Sequence, residues 1–246
     1  MKAEPAVQLR LLELQGLDSA LARLEHRRRV LPELATIAAA DTRLAALRDD
    51  VVRAETEVGD LDREQRRLDN DVEQVRQRSR RDQQRMQAGG IPAKELESLQ
   101  HEVESLARRQ SDLEDAELEV MERREEAESR AAALRSEVDT VAAEREAAVR
   151  ARDEAWAQID AEAAQHTGAR GTLAGSLPDE LVTLYEKLRA AAGGVGAAEL
   201  RQRRCEGCRL ELAGSELRAA RAAAPDEVLR CENCRRILVR TAESGL

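Results

Sequence analysis

The chain has no phenylalanine, one tryptophan and one tyrosine, so aromatic residues make up 1% of its 246 positions. Aromatic side chains supply much of the burial in compact cores. With 36% of residues charged as well, one globular core of this size is excluded. No apolar run reaches the roughly 20 residues that span a bilayer. Met1-Lys2-Ala3-Glu4-Pro5 lacks the apolar segment of a signal peptide. A cytoplasmic chain with no membrane contact is expected. Histidine is scarce: His26, His101 and His166 are scattered along helical stretches. No nucleophile and base fall together, so neither a catalytic residue nor a small-molecule substrate is expected.

Helix breakers are scarce too. Between Pro32 and Gly168 the only ones besides Gly59 lie in Gln87-Ala88-Gly89-Gly90-Ile91-Pro92-Ala93. Adjacent glycines cost a helix roughly 1 kcal/mol each, and Pro92 denies Ile91 a helical conformation. The spacing on either side is that of a heptad seam. Before the turn it runs through Leu44, Leu47, Val51, Ala54, Val58, Leu61, Leu68 and Val72, with Gln65 the polar member. After it, Leu96, Leu99, Val103, Leu106, Leu113, Val120, Ala127, Leu134, Val138, Val141 and Ile159 continue the pattern, interrupted at Gln110, Glu117, Arg124, Arg145 and Arg152. Two such helices bury their stripes by folding antiparallel. Residue i of the first arm then lies level with roughly residue 180 minus i of the second. That rule sets Glu117 beside Arg63, Arg66 and Arg67, and Arg124 beside Glu55 and Glu57.

The expected fold is mainly α: a long kinked antiparallel helical hairpin with a small C-terminal four-cysteine zinc ribbon. The hairpin takes residues 1–176, with arms 6–87 and 94–166 and the turn at 88–93. Pro32 places a kink near 28–36, not a reversal, since no glycine accompanies it. Leu9, Leu11 and Leu12 widen the apolar face at the start of the first arm. Residues 167–175, rich in glycine, read as a loop. Ser176, Pro178 and Asp179 read as a helix start. A short helix over 177–194, carrying Leu177, Leu181, Leu184, Tyr185 and Leu188 on one face, is expected to cover the wide apolar end. The product is a small three-helix cluster in which Tyr185 packs and does no chemistry.

All four cysteines lie in the last fifth, as Cys205-Glu206-Gly207-Cys208 and Cys231-Glu232-Asn233-Cys234. Two CxxC pairs at this separation are the ligand pattern of a tetrahedral structural Zn²⁺ site. A thioredoxin-like redox pair would need a βαβ setting that is missing. Catalytic zinc needs an open position, which four thiolates close. Gly207 and Asn233 are the residues expected to take positive φ as each loop wraps its metal. Val228-Leu229-Arg230 and Ile237-Leu238-Val239-Arg240 alternate like short strands, and 195–246 is the ribbon. From Glu199 onward ten arginines face eight acids. Zinc with four thiolates contributes −2, so the ribbon is about neutral.

Two local basic clusters remain. Arg203, Arg204, Arg235 and Arg236 flank the metal loops, and Arg78, Arg80, Arg81 and Arg85 precede the turn. Both are contact candidates on a chain of net charge −9. The expected function is a non-enzymatic zinc-binding adaptor or scaffold that meets protein partners through ribbon and hairpin, in transcription or translation regulation. The alternative is RNA or DNA binding through those arginines, with no aromatic residue in the ribbon to stack on bases.

The hairpin with Ile91-Pro92-Ala93-Lys94-Glu95-Leu96, Leu184-Tyr185-Glu186-Lys187-Leu188-Arg189, Gly193-Gly194 and the two CxxC pairs resembles a bacterial family of coiled-coil proteins ending in a four-cysteine zinc ribbon, once catalogued as a domain of unknown function. The composition is similar to that of mycobacterial or related actinobacterial members. The resemblance implies zinc on Cys205, Cys208, Cys231 and Cys234. Relatives act as binding proteins in flagellar or type III secretion systems, through an alternative sigma factor, secretion components or messenger RNA; those partners are not carried over. The chain departs from the family's ending at Arg235, where glycine is usual, and at Val239, where tyrosine is usual.

Overall fold

The computed structural model describes all 246 residues. In chain order the elements are α1 (Pro5–Arg29), α2 (Pro32–Ala88), α3 (Ala93–Ala174), α4 (Asp179–Ala191), β1 (Ala197–Arg201), β2 (Arg204–Cys205), α5 (Gly214–Ala222), β3 (Leu229–Arg230) and β4 (Ile237–Arg240). The fold is mainly α, a long kinked antiparallel helical hairpin followed by a small sheet that carries the cysteines. Two compact units make it up, Ala35–Ala148 and Met1–Leu34 with Val149–Leu246.

In the Ala35–Ala148 unit the chain reverses between α2 and α3. Gly89 and Gly90 take φ of 71° and 81°, a left-handed pair that only glycine enters at no steric cost. The Pro92 carbonyl then accepts the first bonds of α3, from Glu95 and Leu96. Along the seam Leu61, Leu68 and Val72 bury with Leu113, Val120 and Ala127. Ala40, Leu44 and Leu47 bury with Leu134, Val138 and Val141. Apolar meets apolar, as the heptad register requires. Exposed pairs such as Arg76–Glu114, Arg85–Glu95 and Arg130–Glu57 flank it. Exposed to water, each adds little.

The polar seam residues correct the level rule. Arg124 does not meet Glu55 or Glu57; it donates to Gln65 at 2.7 Å and lies near Asp62 and Glu128. Glu55 and Glu57 pair instead with Arg135 and Arg130. Glu117 faces Asp69, not an arginine, and Arg63 and Arg66 turn to Asp60 and Asp62 on their own helix. Helical side chains lean toward their own N-terminus. Long side chains on α3 therefore lean toward the turn and those on α2 away from it, so pairs form off the backbone level.

The bond to Asp69, followed by desolvation and the Asp69 charge, raises the Glu117 carboxyl above its ordinary 4.5. A raised carboxyl binds its proton more tightly in the fold. Its contribution is therefore complete below the ordinary value and is lost as pH rises through the raised one. Glu117→Gln should raise the thermal midpoint at pH 7 and raise it less at pH 4. A midpoint at pH 7 no higher than that of the wild type would contradict a Glu117 carboxyl raised by Asp69.

In the other unit, the first arm breaks at Val30–Leu31. Pro32 brings no N–H, and the Val30 N–H closes α1 onto His26 and Arg27. Leu31 buries with Leu24 and Ile159 beside Trp156. The guanidiniums of Arg28 and Arg152 both lie over the Trp156 ring, 5.0 and 4.7 Å from its centroid. Its Nε1 donates to the Arg28 carbonyl at 3.3 Å, one of the acceptors that the end of a helix leaves open.

Residues 167–174, expected as a loop, continue α3. Gly168 and Gly171 cost helix propensity, but Arg170 is bonded to Asp18, and Leu173 and Ala174 pack on the base cluster. Tertiary contacts outweigh the local preference. Ser176 does not cap α4: Pro178 holds the N-cap position, and the Ser176 hydroxyl donates to the Leu173 carbonyl and accepts from Arg10.

The wide apolar face of α1 is covered by more than helices. Leu11 and Leu14 bury with Leu181, Tyr185 and Leu188 of α4, and also with Ala197, Ile237 and Val239 of the sheet. The sheet order is β2-β1-β4-β3, with β1 parallel to β4 and both outer strands antiparallel. Side chains alternate across it. Ala197, Ile237 and Val239 face the helices, while Ala198, Leu200 and Leu238 face the cysteines.

Candidate metal centre

Cys205 ends β2 and Cys208 follows in a tight loop; Cys231 and Cys234 repeat the arrangement between β3 and β4. In each loop the N–H one place past the second cysteine donates back to the first cysteine's carbonyl: Arg209 to Cys205 at 2.7 Å and Arg235 to Cys231 at 2.8 Å. The outer rungs match, with Cys205 N–H on the Leu210 carbonyl and Cys231 N–H on the Arg236 carbonyl, both at 3.0 Å.

No disulfide forms. The four Sγ atoms lie within 4.8 Å of one another, and Cys205–Cys234 and Cys208–Cys231 are each 3.8 Å apart. A tetrahedron with zinc–sulfur bonds of about 2.3 Å has edges of about 3.8 Å. The donor set is therefore spaced for zinc. Burial pushes the Cys205 and Cys231 thiols up. At Cys234 burial also acts upward, but the Arg236 N–H and guanidinium and the neighbouring thiols outweigh it, and the thiol falls to about 7. Four thiols this close lose their protons together only when a cation takes the charge. Bound zinc would supply that charge and a closed four-sulfur shell.

The left-handed residues are not those that the spacing suggests. Positive φ falls one place later, on Arg209 (61°) and Arg235 (66°), and neither Gly207 nor Asn233 has it. Gly207 serves a different need. A Cβ there would stand 2.7 Å from Arg236 Cδ and 2.9 Å from Ala198 Cβ, too close for any side chain. Arg235 sits where a glycine would carry no steric penalty, because a left-handed arginine costs roughly 1 kcal/mol. Its side chain is exposed, and its carbonyl bond from Arg230 Nε is a backbone contact that a substitution keeps. Arg235→Gly should stabilise the loaded ribbon by about 0.5–1 kcal/mol, seen as a higher ribbon melting midpoint; a lower one would refute the strain.

The contact arginines separate. Arg203 and Arg204 are exposed, bonded weakly to the Gly245 and Arg209 carbonyls at 3.4 and 3.3 Å. Gln202 and Arg203 form the two-residue β1–β2 turn, with φ of 45° and 65°, and their N–H groups donate to Glu243 and Ser244 carbonyls. Arg236 turns inward and spends its guanidinium on backbone carbonyls. In the other unit Arg78 and Arg85 pair with Glu102 and Glu95, while Arg80 and Arg81 are exposed.

Some site residues escape the sequence reading. Glu216 of α5 is buried and accepts the Glu232 N–H at 2.9 Å, bracing the second loop. Arg240 donates to five carbonyls between Ala220 and Glu227 and so closes the end of α5. The helix-forming run Glu216-Leu217-Arg218-Ala219-Ala220-Arg221-Ala222 was a signal for α5. Nothing in the sequence marks Arg240 off from the other arginines.

Residues 14–193 match the model of the CT398-like coiled coil hairpin domain, and 204–238 match that of the C4-type zinc ribbon domain. The chain belongs to the CT398-like coiled-coil hairpin family. Within that family it is 44% identical to the Mycobacterium tuberculosis protein Rv2229c over 98% of both chains. It is 30% identical to the Mycobacterium leprae protein ML1638 over 87% of this chain and 92% of that one. A solved Mycobacterium smegmatis structure superposes with a TM-score of 0.86 at 38% identity, over 98% of this chain and 100% of that one. CT398 from Chlamydia trachomatis shares the fold at a TM-score of 0.69 and 19% identity, over 96% and 98%. The mycobacterial relatives agree with the mycobacterial or actinobacterial cast of the composition, and the ribbon match agrees with four cysteines able to bind one zinc ion.

Proposed function

We propose that the chain is a non-enzymatic, cytoplasmic zinc-binding adaptor that holds protein partners through its ribbon and its helical hairpin, in the regulation of transcription or translation. The observation that carries this reading is the closed sulfur shell: four thiols within 4.8 Å use every tetrahedral position on zinc and leave none for a substrate. Both matching families are coiled-coil and zinc-ribbon kinds, and no helix is long and apolar enough to cross a membrane. Residues 1–176, 177–194 and 195–246 would act as hairpin, bracing helix and ribbon. Cys205, Cys208, Cys231 and Cys234 would be the metal ligands. Among the arginines, the exposed Arg203, Arg204, Arg235, Arg80 and Arg81 are the ones able to meet a partner.

The test is affinity capture from lysate with the intact chain and with Cys231→Ser, with and without nuclease. Nuclease-resistant protein partners that disappear with the ribbon support the adaptor. An eluate holding only nucleic acid overturns it in favour of phosphate binding. Binding would then weaken steeply with salt and fall when Arg203 and Arg204, or Arg80 and Arg81, are reversed in charge.

A further inference from the structure

One residue touches both metal loops and the helix beside them. Arg236 Nη1 donates to the Gly207 carbonyl of the first loop at 3.1 Å, and its own carbonyl accepts the Cys231 N–H of the second at 3.0 Å. Nε and Nη2 donate outward to Val195 at 3.0 Å and to Ala192 at 2.7 Å. Ala192 is the C-cap of α4, where carbonyls lack helical partners. The stem crosses Gly207 so closely that only glycine leaves it room.

We propose that Arg236 is a positioning residue for zinc: it sets the two thiol loops against each other and fastens them to the end of α4, so that loading the metal and closing the ribbon onto α4 are one event. The link from Gly193 to Ala197 is then held from two sides. Gln15 of α1 donates to the Gly194 carbonyl at 3.1 Å and accepts the Gly196 N–H at 2.7 Å, and Arg236 holds Ala192 and Val195. A zinc centre with four thiolates carries −2, which the guanidinium partly offsets. Once metal leaves, the two loops lose their common centre. The grip on Ala192 and Val195 weakens with them, and the coupling is reciprocal.

Three variants of the full chain test this: Arg236→Met, which keeps the apolar stem; Arg236→Lys, which keeps a charge but not the fork; and Gly207→Ala, which crowds the stem and leaves every ligand in place. The readouts are zinc transfer to a chromogenic chelator, the thiolate charge-transfer and ligand-field bands of the cobalt(II)-loaded chain, and amide exchange over 193–197. Arg236→Met should still take one zinc but hold it roughly 10- to 100-fold less tightly, with altered cobalt bands and fast exchange at 193–197 even when loaded. Arg236→Lys should recover part of the affinity and none of that protection. If Arg236→Met does not fold, Gly207→Ala decides: it must weaken both zinc retention and protection at 193–197. Wild-type zinc affinity and cobalt bands in the folded variant, or exchange at 193–197 that zinc does not alter in the wild type, overturns the latch. The inference rests on the zinc reading, and metal analysis separates the two failures: a reduced wild type that takes up no metal sinks both, whereas a loaded wild type indifferent to these substitutions sinks the latch alone.

Discussion

Removing zinc with a chelator, or replacing Cys231 by serine, should unfold the ribbon while residues 35–148 stay helical. Around the thiols the fully or nearly buried apolar residues are only Ala198, Leu200, Leu212 and Leu238, far too few to fold a unit this small. Structural zinc contributes about 10 kcal/mol or more to such a domain, so its loss exceeds anything that this cluster supplies. The hairpin has its own seam clusters and needs no metal. Limited trypsin digestion shows the outcome: in chelator, cleavage should concentrate at the arginines between Arg201 and Arg240, and the far-ultraviolet helical signal should fall only slightly. A stripped ribbon as resistant as the loaded one would refute the metal's role.

Zinc needs all four thiolates, so protons compete with it and the loaded ribbon should weaken as pH falls.

The parts of this molecule legible in the sequence are those governed by local rules. Gly89-Gly90 with Pro92 can make little but a turn, and a seam of leucine and valine at alternating three and four can pair in few registers. Two CxxC pairs announce their metal through spacing alone. What the sequence hides is set by distant partners. Ala197-Ala198-Glu199-Leu200-Arg201 reads as helix-forming, yet it is a strand, because β4 lies parallel beside it, Ala197 opposite Ile237 and Leu200 opposite Arg240. Residues 167–174 are helical because Asp18 and the base cluster hold them there. Gly207 attracted attention for its backbone freedom, whereas its use is the room it gives Arg236. The level rule failed at Arg124 and Glu117 because it placed backbones and ignored which way long side chains lean. In each case the missing term was a contact with a residue far along the chain.

Asp18→Ala should be the most damaging single substitution outside the metal ligands. The carboxylate is 1% exposed and serves three elements at once. From α4 the Tyr185 hydroxyl donates to Oδ2 at 2.6 Å, and Arg189 lies 3.1 Å from Oδ1. From α3, Arg170 Nε donates to Oδ1 at 2.7 Å. Alanine would leave the fully buried Tyr185 hydroxyl with Gln15 alone, 3.1 Å away, and both guanidiniums without their shared anion. Breaking a buried ion pair on one side costs about 3–5 kcal/mol. Arg170 and Arg189 keep 23% and 33% of their side-chain surface in water and retain Glu186, which places the loss near the lower figure, about 3 kcal/mol. That is a large share of a stability of roughly 5–15 kcal/mol. Asp18→Asn keeps one acceptor oxygen and should lose less. Urea unfolding followed through Trp156, which lies in the same unit, measures both. If Asp18→Ala falls within about 1 kcal/mol of the wild type, the ordinary worth of one hydrogen bond, the carboxylate does not hold α1, α3 and α4 together.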